Sequence, residues 1–477
     1  MGMDRVMASG LVLCLFVSGA AMAGPLTPPA GPVSGTGKTL GEIEPRTVIA
    51  VPTTYPVVIS TPGSYVLAGP LTPPSGTSAI QFTQASGRAS LDLNGFTVTG
   101  AGSVTVIDAT GKSLTVRNGT VVGGSIGIKG GSVVASDLTL ELQTLHGLDV
   151  DRQSTVRNVT VVSSGTTGIR GTRDVVVEGC TVNNAGTLTA GGGIVLGENA
   201  IVRDSRVDNC KTAGIDVGAG STVVACSAAN TTGTDANGST ATGFGIRAGA
   251  RSTITNCSAT LNTLWGFSVG AGSTITNSAA GQNNLSNDLS TGRNNPGGGF
   301  LIGATSIVQN CTADTNGGFG FRGESGASIT ASNASNTRAV AGSLGVGYEF
   351  STGGSLMASN ARANASHGVL LNGSNNAVTG GTFTGHSATS IAGVAVNGSF
   401  NRVTGVQSVN NNVGIIIFTT SASLPSGLQI TGNMVGNTFT AIGLSGAFGL
   451  SASNFVPGPV SPGTLTSGSG PWINIGN

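Results

Sequence analysis

Asp149 and Asp151 are the residues of this chain best placed for acid–base chemistry. In Gly147-Leu148-Asp149-Val150-Asp151 apolar residues alternate with the carboxylates, so an extended strand sets both acids on one outer face, about 6.6 Å apart. That separation falls at the lower edge of the range used by inverting glycosidases, in which one carboxyl protonates the leaving group and the other activates water. His146 stands close by and completes the candidate catalytic group. A simpler reading competes with it. Lys129 and Arg170 occupy the matching position one repeat away on either side of Asp149, which makes an exposed ladder of ion pairs worth little stability. Asp216 with Arg247 and Arg322 with Glu349 repeat the same pattern.

A second set of candidates would bind rather than react. Phe244, Trp265 and Phe319 each precede a glycine of one recurring type and could form an aromatic line that stacks on sugar rings, or a stack buried inside the fold. Asp235, Asp288 and Arg293 lie in polar loops at 230–242 and 283–297 and complete the candidate ligand-binding residues. The three histidines do not converge. His146 and His367 share a corner but stand nine repeats apart, on the order of 40 Å, and His386 falls in a loop with no evident partner. A metal site or catalytic triad is therefore not expected, and no cofactor is implied.

The elements that must position these residues follow from a repeat. A glycine followed by an alternating apolar pair recurs from Gly127 through Gly147, Gly168, Gly193, Gly214, Gly245, Gly266, Gly299, Gly320, Gly347, Gly368, Gly393 and Gly414 to Gly443. From Gly147 onward the spacing alternates between 21 residues and a longer value. Nine residues after the glycine stand Val177, Val202, Val223, Ile254, Ile275, Val308, Ile329 and Leu356, and fourteen after it Val182, Val207, Ala228, Ala259 and their successors. Like residues at each level mean coils stacked in register, each packing only on its neighbours. Three short strands per unit give a right-handed parallel β-helix of about 14–16 coils, and the fourteen glycines a rod on the order of 65 Å long. The extra residues of long units enter after the third strand, so the loops should run in single file down one edge; the last long unit carries its extra residues at 419–427 instead.

Such a stack reconciles 477 residues with the absence of domain linkers. Residues 1–23 read as a cleavable leader, with Arg5, an apolar stretch from Leu11 to Val17 and Ala21-Met22-Ala23 before the cut. Export follows, to the periplasm, cell surface or medium. Residues 24–79 form a Pro- and Gly-rich N-terminal cap, 80–450 the β-helix and 451–477 a C-terminal tail. Charged residues are 9% and net charge is +1 without a basic run, which argues against nucleic acid and anionic membranes as partners, and the leader's apolar stretch is too short to span a bilayer. Of the five cysteines after the leader, Cys180, Cys226, Cys257 and Cys311 all fall twelve residues after a repeat glycine, where other units carry serine. That exchange predicts a reduced, buried ladder, with Cys226 and Cys257 the one pair close enough to bridge; Cys210 reads as a turn residue off the column.

Leu91-Asp92-Leu93-Asn94-Gly95-Phe96-Thr97-Val98, followed by Leu114-Thr115-Val116-Arg117-Asn118-Gly119-Thr120-Val121 and preceded by Thr61-Pro62-Gly63-Ser64-Tyr65-Val66-Leu67, resembles the opening of exported β-helix repeat proteins of the pectin-lyase-like superfamily. The resemblance covers residues of about 80–450 and implies the architecture, whereas the superfamily's chemistry varies widely. The acidic cluster and Lys or Arg base of its calcium-dependent lyases, the adjacent aspartates and Arg-Ile-Lys segment of its galacturonases, and the Asp-Pro-His signature of its alginate epimerases are all missing. Two functions follow as expectations: a non-catalytic rod presenting a long surface to a polysaccharide or cell-surface glycan, or for assembly, and alternatively a polysaccharide lyase or hydrolase with an unfamiliar site. The strand Gly414-Ile415-Ile416-Ile417-Phe418 is apolar on both faces and needs a cover, either the tail with Phe455 and Trp472 as anchors or a second subunit through the C-terminal coils.

Overall fold

The computed structural model describes residues 46–189, 191–233, 242–285, 297–340, 344–386, 388–418, 427–436, 440–445, 456–457 and 472–476. All of them belong to one unit, Arg46–Asn477.

The coil that starts at Gly245 shows how the sequence builds a turn of the helix. Its strands are Phe244–Ala248, Thr253–Thr255 and Ser258–Thr260. Between and after them Arg251, Asn256 and Leu261 take left-handed backbone conformations with φ of 58°, 55° and 57°. A single left-handed residue bends the chain sharply between extended segments, and Asn tolerates that region better than most residues. The same three corners recur in other coils, with Asn199, Asp204 and Asn209 at them in one and Thr305, Asn310 and Thr315 in another.

Each corner is followed by a small polar residue that points inward: Ser252, Cys257 and Asn262 in this coil, all buried. Their side chains accept backbone N–H groups from the preceding coil. Ser221 N donates to Ser252 Oγ at 3.2 Å, Cys226 N to Cys257 Sγ at 3.5 Å and Thr231 N to Asn262 Oδ1 at 3.0 Å. The corners would otherwise leave donors unpaired where the strand ladder breaks, and these three internal columns satisfy them. Cysteine and serine exchange freely at the second corner because both are small and both accept. All five described cysteines are free and buried. Burial pushes the thiols of Cys180 and Cys311 up to about 11 and that of Cys210 up to about 12. Cys210 lies off the cysteine column, as expected, at the third corner of its coil; it is buried there, equivalent to Asn262, and donates its thiol to Asp208 O at 3.5 Å.

Successive coils pair in parallel register, as with Ile215↔Ile246, Ile246↔Phe267 and Phe267↔Phe300 on the glycine face, and Val223↔Ile254↔Ile275 on the next. This is the right-handed parallel β-helix that the resemblance implied, about 16 turns long. Among the described residues the glycine face holds 17 strands, which at the coil rise gives a rod of about 77 Å. It exceeds the length inferred from glycines alone because the strands Val57–Ile59, Ile80–Phe82 and Thr105–Ala109 carry none. The stack also begins earlier than residue 80. Thr47–Ile49 already pairs with Tyr65, Val66 and Leu67, so parallel stacking starts within the N-terminal entry segment. At the other end Ile416 pairs with Gly443, which places Gly443 two residues beyond the repeat position.

The repeat glycine is required by close approach and not by its backbone angle. A Cβ on Gly245 would lie 2.5 Å from Asn262 Nδ2 and 2.7 Å from Gly266 O. The opening motif is equally structural. Leu91 and Leu93 are fully buried, and Asp92 between them ties coils together. Its carboxylate accepts from Arg46 at 2.7 Å, Arg117 at 3.1 Å, Asn118 at 3.2 Å and the Asn94 N–H at 2.9 Å, while Asn94 makes the left-handed corner. Burial raises the Asp92 pKa, but these hydrogen bonds outweigh it and hold the carboxyl below its usual range.

In three long units the extra residues fall between the third strand, ending at Ala229, Gly281 or Ser335, and the next strand of the glycine face, which starts at Phe244, Gly298 or Val346. Most of the residues between lie outside the described ones. At the C-terminal end Trp472–Gly476 pairs antiparallel with Gln429–Gly436, and Val456–Pro457 with that same tail strand. The tail thus lies along a sheet edge that would otherwise template strand addition. Truncation after Leu450 should turn a soluble monomer into an aggregating species, read by light scattering; a truncated chain that stays monomeric would refute the capping role.

Candidate functional site

The strand His146–Val150 ends just before Asp151, but the alternation carries on: Asp149 is partly exposed and Asp151 exposed, with buried Val150 between them. Asp151 opens a turn in which its carbonyl accepts from Ser154 Oγ at 2.7 Å and its carboxylate from Thr172 Oγ1 at 2.6 Å and the Arg152 N–H at 2.9 Å. The left-handed corner follows two residues later, at Gln153 with φ of 57°. The Thr172 hydroxyl and then the Arg152 N–H hold the Asp151 carboxyl below its usual range, the opposite of what a general acid needs at neutral pH.

Asp149 stands in register with Lys129 on one side and Arg170 on the other. Its carboxylate lies 3.9 Å from Lys129 Nζ and 3.8 Å from Arg170 Nη1. The ion ladder is present. His146 is half-buried; burial lowers its pKa first, Asp149 pulls it up, and Arg170 and Lys129 push it down. His146 interacts electrostatically with Asp149, whereas the Asp151 carboxylate is engaged by Thr172 and the Arg152 N–H.

The three aromatics do come together. Phe244, Trp265 and Phe319 project from the outer side of the glycine face and form a cluster with Ala213, Leu264 and Val346 that is separate from the interior core. Trp265 and Phe319 stack with centroids 6.2 Å apart and planes inclined by 12°. They are covered, however, at 7%, 3% and 8% exposure, so none offers a free ring face to a sugar. The stack inside the coil is a different one: Phe267, Phe300, Phe321 and Tyr348 pile up at 4.8, 4.6 and 5.0 Å. At the repeat glycine the chain kinks so that glycine and the next residue both face inward, which sends the preceding residue out.

The same kink puts the residue three after the aromatic on its own side. Arg247 lies over Phe244 at 5.3 Å and Arg322 over Phe319 at 5.2 Å. Both segments read aromatic-Gly-apolar-Arg, a spacing that strict alternation would place on opposite faces and that the sequence reading therefore passed over. Each guanidinium is also fixed by a carboxylate. Arg247 Nε donates to Asp216 Oδ1 at 2.9 Å and Nη2 to Oδ2 at 2.5 Å; Arg322 Nε lies 3.2 Å from Glu349 Oε2.

Beside this column runs a groove of about 370 Å³, lined chiefly by Asp216, Arg247, Ser268, Leu301 and Glu324 above a backbone floor. Gly249, Gly270 and Gly303 form that floor, and Glu324 occupies the equivalent position one coil on. Side chains are excluded there by the neighbouring coil: a Cβ on Gly249 or Gly270 would come within 2.6 Å of the backbone nitrogen of Ala219 or Ala250. A trough follows from the tight corner. Asp235, Asp288 and Arg293 lie outside the described residues. Among the described residues no three His, Cys, Asp or Glu side chains gather to hold a metal ion.

No protein-family model matches the chain, and no curated protein matches it. Solved structures do. The chain is similar to the Dettilon tailspike protein at 14% identity and TM-score 0.40, over 70% of this chain and 62% of that one. It is similar to the A-module of a mannuronan C-5 epimerase of Azotobacter vinelandii at 13% identity and TM-score 0.32, over 76% and 89% of the two chains. A pectate lyase matches at 15% identity and TM-score 0.28, over 83% and 75%. The likeness is one of architecture.

Proposed function

We propose that the chain is an exported, non-catalytic β-helix whose glycine face binds glycan at or beyond the cell surface. The observation that carries this reading is the groove beside Arg247: Asp216 and Arg247 are already oriented by their ion pair and by the cation–π contact with Phe244, and the floor is backbone. Ligand hydroxyls meeting such groups cost little reorganisation on binding. Asp149 is flanked by cations on both sides, and Thr172 of the next coil with the Arg152 N–H holds the Asp151 carboxyl below its usual range, which speaks against the hydrolytic alternative.

The test is a broad polysaccharide panel with the mature protein. Binding is expected without new reducing ends or unsaturated products, and Ser268→Trp, which fills the groove from an outward position, should weaken it at least roughly tenfold, about 1.4 kcal/mol. Turnover that disappears in Asp149→Asn would overturn the proposal.

A further inference from the structure

We infer that the glycan taken by this groove is uncharged and extended along the rod axis. The inference rests on the glycan-binding reading and adds the class of ligand.

Charge decides the first part. Among the described residues Arg247 is the one cation lining the groove, and its guanidinium is already engaged at both Nε and Nη2 by Asp216. The pair is neutral. Glu324 remains, exposed and without an ion-pair partner among the described residues, so the lining carries a net negative charge. Arg251, close in sequence, sits at the corner past the floor and is not part of the lining. Beyond Glu324 the next cation, Arg322, is matched by Glu349, whose other oxygen accepts from Asn372 at 3.3 Å. A carboxylated or sulfated chain would therefore meet Glu324 with no free cation in the groove's lining to offset it, and like charges brought close disfavour binding. Neutral hydroxyls meet no such penalty. Asp216 accepts, the outer guanidinium edge of Arg247 donates, and Ser268 does both.

Shape decides the second part. The lining comes from the coils of Asp216, Arg247, Ser268, Leu301 and Glu324, four coil rises from first to last, or about 19 Å. Leu301, partly buried against the aromatic cluster, supplies an apolar step midway for the less polar face of a sugar ring. A single monosaccharide would leave most of this length unused.

The experiment compares the full mature protein against a length series of neutral gluco- and galacto-oligosaccharides and against oligogalacturonate of the same lengths, by calorimetry at low and high salt. Neutral oligomers should bind with affinity that rises with length and is insensitive to salt, and oligogalacturonate should bind at least roughly tenfold more weakly. Glu324→Gln should narrow the gap between the two series several-fold by strengthening oligogalacturonate binding relative to the neutral oligomers, because it removes the unpaired charge of the lining and keeps the side chain's shape. Preference for the charged oligomer, weakened by salt, would overturn this inference while leaving a glycan-binding groove in place. Binding of neither series would overturn both.

Discussion

Acidification from neutrality should loosen the coils around His386 before the rest of the stack, and His386→Asn should remove much of that sensitivity. His386 is not a loop residue as its sequence context suggested. It is fully buried at a third corner, in the column that Asn262, Asn283, Asn316, Asn364 and Asn411 occupy elsewhere. Its Nδ1 accepts the Asn364 N–H at 3.3 Å and its own N–H donates to Asn411 Oδ1 at 2.9 Å, while Nε2 faces Gly368 with no partner among the described residues. His367, one coil element away, accepts the Ala392 N–H through Nδ1 at 3.0 Å and meets Phe418 edge-on. An imidazole that accepts through one nitrogen and is buried at the other has no place for a second proton. Burial lowers both histidines to about 4, and for His367 the neighbouring His386 adds to the effect.

The sign follows from proton counting. Between an unfolded value of about 6.5 and the folded value near 4 the unfolded chain binds protons that the folded chain refuses. Stability is full above that window and is lost progressively as pH falls through it. Each ring accounts for about 3 kcal/mol at the lower end. Hydrogen exchange against pH should show protection lost first near 364–418, with the early coils unchanged. Equal loss along the whole rod, or an unaltered profile in His386→Asn, would count against this account.

Asn283→Leu should be among the most damaging single changes, although leucine keeps the branched four-atom skeleton of the side chain. Asn283 Oδ1 accepts from the Asn262 N–H at 3.0 Å and from Asn262 Nδ2 at 2.9 Å, and its Nδ2 donates to Ala259 O and Asn316 Oδ1 at 3.0 and 2.9 Å. Leucine leaves the Asn262 N–H and the Ala259 carbonyl to lose partners in a site closed to water. At about 1–3 kcal/mol for each group left unmade, the loss is roughly 3–5 kcal/mol, measured by chemical denaturation. Asn230→Ala, at a left-handed outer corner one residue from the same column, should cost far less. Comparable losses for the two would mean that the internal column contributes no more than the surface.

Much of this molecule is legible in its amino-acid order. The period, the columns of Val and Ile nine residues after each glycine, the cysteine–serine exchange and the Lys129–Asp149–Arg170 ladder all follow from repetition, because stacked coils make one position see its own equivalents above and below. The repeat alone also placed the long insertions after the third strand. What it could not place were the residues around the bends. Alternation assumes an unbroken strand, yet left-handed corners, three of them in most described coils, and a kink at the repeat glycine interrupt it. Those interruptions sent Phe244, Trp265 and Phe319 outward and turned Cys210 and His386 into the interior. Whether a side chain next to a corner faces in or out depends on the coil it packs against, 21 or more residues away, and that contact exists only once the chain has wound.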